Sequence, residues 1–77
     1  MKEVHAEQYL QLGLKISYYR KLKKLTQEQL AEKINCSSAF IGHIEAPNIS
    51  KAISMDKLFD IAAALDVPAY KFLLFDD

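Results

Sequence analysis

Few side chains in this sequence are spaced for covalent chemistry. His5 and His43 have no nucleophile or ligand partner at a recognisable spacing, Cys36 is the only cysteine, and the carboxylates are spread over surface-like positions. A single cysteine excludes an internal disulfide framework and a multi-cysteine zinc site. It reads as a structural thiol more readily than as a reactive one. An enzyme is therefore not expected, and no catalytic, cofactor or metal site is assigned. The more suggestive spacing lies elsewhere. Ser38, Ala39, Gly42 and His43 fall on one side of a short helical pattern whose Ile41, Ile44 and Glu45 point the other way. Small side chains mixed with hydrogen-bonding groups are unlike the charged face of an ordinary solvated helix. Such a face suits close approach to the base edges of a DNA major groove, which is about 12 Å wide and admits one α-helix.

The elements that must hold this face can be read from periodicity and capping. Leu12, Ile16 and Tyr19 recur at i, i+4 and i+7, with Tyr9 on the same side, and predict a first helix over about residues 6–23. Gly13 within it costs about 1 kcal/mol relative to alanine. Leu10, Leu14 and Tyr18 form a second apolar line nearly opposite, to be covered by another protomer or, more simply, by the C-terminal segment of the same chain. Thr26 with Gln29 matches the capping box and opens a second helix whose Leu30, Ala31 and Ile34 face inward. Ser37 can cap a third after a turn at Asn35 and Cys36, and two helices so joined form the unit whose second member enters a groove. The segment "APNISKAI" reads as a loop. Ser54 then opens the clearest helix, with Leu58, Ile61, Ala62 and Leu65 at i, i+3, i+4 and i+7. Pro68 and "AYKFLLF" give a short terminal helix before the acidic end at Asp76 and Asp77. No strand alternation or internal repeat is present, so the fold class is all-α, a compact five-helix bundle.

Seventy-seven residues fit one domain, 1–77, and a chain this short buries only about 60% of its unfolded surface, so each apolar stripe matters. The first residues lack the apolar core of a secretion leader, and no apolar run approaches the roughly 18 residues needed to span a bilayer. A reducing, cytoplasmic setting is the default expectation, with no membrane partner. Ten basic residues balance ten acidic ones, but unevenly. Between residues 15 and 33 six basic residues face two acidic ones, whereas from residue 34 onward three basic residues face six acidic ones. That polarity could orient an anionic partner, or could be a solvated face and no more.

Three linked motifs carry a resemblance. "R20-x-x-x-x-L25-T26-Q27-x-x-L30-A31", then "S37-x-x-x-I41-x-x-I44-E45", then "S54-x-x-x-L58-x-x-I61-A62-x-A64-L65-x-V67" resemble the helix-turn-helix family of phage repressors and Cro proteins, the XRE-like group. The likeness covers about residues 12–74, leaving residues 1–8 as an N-terminal extension. It implies a lambda-repressor-like DNA-binding domain that binds double-stranded operator DNA, usually as a homodimer on two half-sites, in a transcriptional regulator. Position by position it implies base reading by Ser38, Ala39, Gly42 and His43, and phosphate contacts from Gln27 and from Asn48 and Lys51 in the following loop. Ser37 matches the cap and stands with the phosphate-side residues. Lys23 and Lys24 could also touch the backbone. Glu45 lies on the inward side of its helix and Arg20 borders the inward stripe of the first, and a buried carboxylate is costly unless paired. In the family the matching positions form a salt bridge tying the first helix to the third.

The sequence departs from the family pattern in three ways. "APNISKAI" replaces a glycine-containing turn, the outward face lacks the arginine, glutamine or asparagine of strong bidentate base pairing, and the net charge is zero. Either His43 and Ser38 carry most of the specificity, or DNA shape, bound water and residues outside this helix contribute. Gly42 is open to two readings: close approach to a ligand, or a crowded helix crossing. The competing function is a protein-interaction module, an antitoxin-like or adaptor use of the same fold in which Phe72, Leu73, Leu74 and Phe75 supply a surface for a protein partner.

Overall fold

Among the described residues, hydroxyl side chains start three of the four α-helices. The computed structural model describes residues 5–49 and 51–75; the readings made for the first four residues and for the acidic end at Asp76 and Asp77 lie outside the described residues. Helix α1 spans Ala6–Leu22, α2 Gln27–Lys33, α3 Ser38–Glu45 and α4 Met55–Leu65, and a 3₁₀ helix follows at Ala69–Leu73. Thr26 Oγ1 accepts the Gln29 N–H at 3.0 Å while Gln29 Oε1 accepts the Thr26 N–H at 2.8 Å. Ser37 Oγ accepts the Phe40 N–H and Ser54 Oγ the Lys57 N–H, each at 3.1 Å. Each such cap contributes about 1 kcal/mol by satisfying a first-turn donor.

The C-terminal ends are closed without glycine. Lys24, Asn35 and Asp66 take the left-handed conformation, with φ of 63°, 58° and 57°. At each end the left-handed residue and its successor donate back to the last turn: Lys24 to Lys21 and Leu25 to Arg20, Asn35 to Glu32 and Cys36 to Ala31, Asp66 to Ala63 and Val67 to Ala62. These paired bonds satisfy carbonyls that would otherwise lack partners. Asn and Asp tolerate this backbone, whereas Lys24 takes it against its side chain's preference.

Every helix contributes to one core. Ile16 of α1, Leu30 of α2, Ile41 of α3, Leu58, Ile61 and Leu65 of α4, and Phe72 of the 3₁₀ helix are fully buried. Helix α3 packs against both α1 and α2, and α4 closes over α1 and α2 with the 3₁₀ helix against it. Helices of seven and eight residues are too short to persist alone, so this shared burial is what holds α2 and α3. No helix among the described residues is long and apolar enough to cross a membrane.

Two features differ from the sequence reading. The fifth helix is a 3₁₀ turn of five residues, and it does not cover the outer line of α1: Leu14 and Tyr18 are 51% and 57% exposed. Phe72 accounts for the second. Its ring inserts edge-on beside Tyr19, with centroids 5.2 Å apart, which holds the short terminal turn on the inward flank of α1 and leaves the opposite flank bare. Leu73 and Leu74 stay exposed as a result.

Gly13 is where α1 and α3 come closest. A methyl group there would collide with the backbone carbonyl of Ile44, so glycine is required at this crossing. Gly13→Ala should therefore lose about 1–3 kcal/mol by overpacking rather than gain helix propensity. Urea unfolding at constant slope would record a lower midpoint; a raised midpoint would mean the two helices do not touch.

Candidate nucleic-acid interface

Helix α3 is positioned through one buried carboxylate. Glu45 and Arg20 are each 7% exposed. Arg20 Nε donates to Glu45 Oε2 at 2.7 Å and Nη2 to Oε1 at 2.8 Å, a two-pronged pair in which the planar guanidinium matches the carboxylate. Nη1 donates to the Leu25 carbonyl at 2.6 Å, and Gln27 Nε2 to Glu45 Oε1 at 3.1 Å. Thus α1, the turn before α2, the first residue of α2 and the last residue of α3 meet at one point. No buried side-chain polar atom among the described residues lacks a partner, as a polar cluster in an apolar surround requires. A carboxylate at the C-terminal end of α3 also opposes the helix dipole, and Arg20 offsets that repulsion.

Hydrogen bonding to Glu45, set against desolvation, holds the Arg20 proton more tightly than in a free arginine. A raised folded-state value means the contribution is complete below arginine's ordinary range and lost only as pH rises through the higher value. Around neutrality Arg20 therefore keeps its charge, and the guanidinium adds no pH dependence.

With its inner side fixed, α3 turns Ser38, Ala39 and His43 to solvent, with Gly42 half-buried beside them. The four residues Ile34–Ser37 that join α2 to α3 leave no slack for another orientation. Gly42 is not at a crowded crossing: a methyl group there would meet only the Gln27 Oε1, at 3.4 Å. Only the Gln27 side chain borders Gly42, and the crossing glycine is Gly13. Gln27 flanks this surface from the start of α2. Asn48 and Lys51 are exposed in the loop beyond α3, and Lys23 and Lys24 are exposed at the end of α1. Cys36 lies at the core edge in the turn, its thiol 3.6 Å from the Ser37 carbonyl.

Residues 16–72 match the family described as helix-turn-helix. The chain belongs to the helix-turn-helix family. That family comprises DNA-binding transcription regulators, and the match takes in the C-terminal part of α1, all of α2, α3 and α4, and most of the 3₁₀ helix. No curated protein matches the chain. Among solved structures, the restriction-modification controller protein C.AhdI from Aeromonas hydrophila is similar at 23% identity and a TM-score of 0.81, over 90% of this chain and 97% of that one. At that identity the likeness supports the fold. His43 and its neighbours thus sit on the second helix of the family's defining motif.

Sequence reasoning missed two parts of this helix-turn-helix surface. The sequence pattern gives Gln27 an outward contact alone, while its amide also bonds to Glu45; its place eighteen positions before Glu45 gives no periodic signal. Phe40 was given no role, yet its ring lies 5.9 Å from the Lys51 ammonium, a pairing that depends on the path of a loop.

Removing one partner of a buried ion pair costs about 3–5 kcal/mol because the other charge is left stranded. Arg20→Ala should accordingly lower the melting temperature well before any individual DNA contact is lost. Replacing both partners by apolar residues, as in Arg20→Met with Glu45→Leu, should cost less than the single change. A melting temperature unaffected by Arg20→Ala would refute the pairing.

Proposed function

We propose that this regulator is a sequence-specific DNA-binding protein, a repressor acting as a homodimer, that inserts α3 into the major groove of an operator. The observation that carries this is the contrast between the two sides of α3. Its inward side is locked by Glu45, while on its outward side the small Ser38 and Ala39 and the hydrogen-bonding His43 are exposed. Ser38, Ala39, Gly42 and His43 would face base edges, the missing side chain of Gly42 allowing the backbone to come close beside Gln27. Gln27 would reach a phosphate with its remaining amide hydrogen, its orientation set by the bond to Glu45. Ser37, Asn48, Lys51, Lys23 and Lys24 would supply further backbone contacts at the rim. The controller role named for C.AhdI is consistent with a small chain of this fold acting on transcription.

A second reading is favoured by a different observation. Leu14, Tyr18 and Leu22 on α1, and Leu73 and Leu74 near the C-terminus, are uncovered apolar side chains, and such residues mark interaction surfaces when they cluster. They suit the dimer of the first reading, or a module that binds a protein partner and no longer reads DNA. Selection of bound sites from random duplexes, with the mass in solution, separates the two. The regulator should enrich a palindrome whose half-site spacing reflects a dimer. No enriched sequence would favour the interaction module. His43→Ala should relax preference at one position in each half-site by about 1–3 kcal/mol, leaving the salt dependence as it was.

A further inference from the structure

Phe40 gathers two cations. It is half-buried on α3, one residue before the fully buried Ile41, and its backbone N–H is fixed by the Ser37 cap. The ammonium of Lys51, from the loop, and that of Lys57, from the first turn of α4, each lie 5.9 Å from the centroid of its ring. The negative face of an aromatic ring attracts a cation, but two cations drawn to one ring repel each other. Neither lysine forms an ion pair with a carboxylate among the described residues. Even Asp60, three positions beyond Lys57, is not paired with it. Two positive charges at one ring, with no carboxylate paired to either among the described residues, leave room for an anion, and the ring belongs to the helix whose adjacent residues form the outward face.

We infer that Phe40, Lys51 and Lys57 form a phosphate clamp at the α4-side rim of the recognition face, in which the ring holds both ammonium groups for one phosphodiester of the DNA backbone. The inference rests on the DNA-binding reading and deepens it. Lys57 is the new member. Between Asp56 and Asp60 in the sequence it reads as part of a mixed, solvated surface, and only the fold, with α4 closed over α1 and α2, brings its ammonium to Phe40. The Ser54 cap bonds the backbone N–H of Lys57, not its side chain, so a change of side chain leaves that cap intact. Phe40 is a positioning residue: it does not touch the phosphate but decides where two charges rest.

The test is the salt dependence of duplex binding by the full chain. Lys57→Gln should reduce the slope of log affinity against log salt by about one and weaken binding roughly five- to tenfold on all sequences alike, with the selected site unchanged. Phe40→Leu keeps the apolar bulk against the core but loses the ring; it should weaken binding severalfold, and Phe40→Tyr should restore it. Melting temperatures of these variants guard against unfolding as the cause. A Lys57→Gln protein with wild-type slope and affinity overturns the clamp while leaving the regulator reading intact. A wild-type chain with no duplex binding at any salt concentration overturns both.

Discussion

The buried carboxylate of Glu45, bonded to Arg20, is the constraint around which the domain is arranged. Desolvating such a group costs several kcal/mol, and its Coulomb attraction to a partner offsets this only when the geometry is good and the remaining lone pairs are satisfied. Here two nitrogens of Arg20 and the amide of Gln27 meet that condition, while the third arginine donor reaches the Leu25 carbonyl. Three helices and a turn must therefore be in register at once. The cluster gives the short α3 a defined roll angle that apolar packing, which is non-directional, would leave loosely determined.

Close packing completes what the ion pair begins. Gly13 lets the backbones of α1 and α3 approach until the Ile44 carbonyl occupies the space of a side chain, one residue from the carboxylate that Arg20 holds. Interiors at this density have few ways to rearrange, so a small shift at one contact is felt at the next. Both glycines of the chain are thus committed inside helices, and the three left-handed helix ends fall to Lys24, Asn35 and Asp66. In the helix-turn-helix itself Asn35 occupies the left-handed position, where a short side chain limits the steric cost.

Opposite charges balance in this molecule, although they are unevenly placed along it. A zero net charge removes much of the long-range attraction that strongly basic proteins feel for DNA. Recognition in such a chain must draw on local arrangement: where individual lysines are held, how closely the backbone above Gly42 can approach, and what His43 and Ser38 can bond. The bare apolar line on α1 and the exposed residues near the C-terminus have a separate physical logic, the burial of hydrophobic area between chains.

Much was legible from the residue pattern because it obeys local rules. The caps at Thr26, Ser37 and Ser54 satisfy donors within one turn, and the inward stripes repeat with the period of the helix. Element boundaries, the buried faces of α2, α3 and α4, and the outward placement of Ser38, Ala39 and His43 follow from interactions spanning only a few residues. What depended on contacts distant along the chain was not available to periodicity. Gly13 reads as a mild defect until the Ile44 carbonyl lies against it. Leu14 and Tyr18 read as covered until Phe72 draws the terminal turn to the other side of α1. Gln27 and Phe40 gain their partners only when loops and helices converge. Local hydrogen bonding and hydrophobic period, both written in the sequence, determined which helices exist and which way they face; close packing and the burial of charge, which exist only in three dimensions, decided how those helices meet and what their junctions expose.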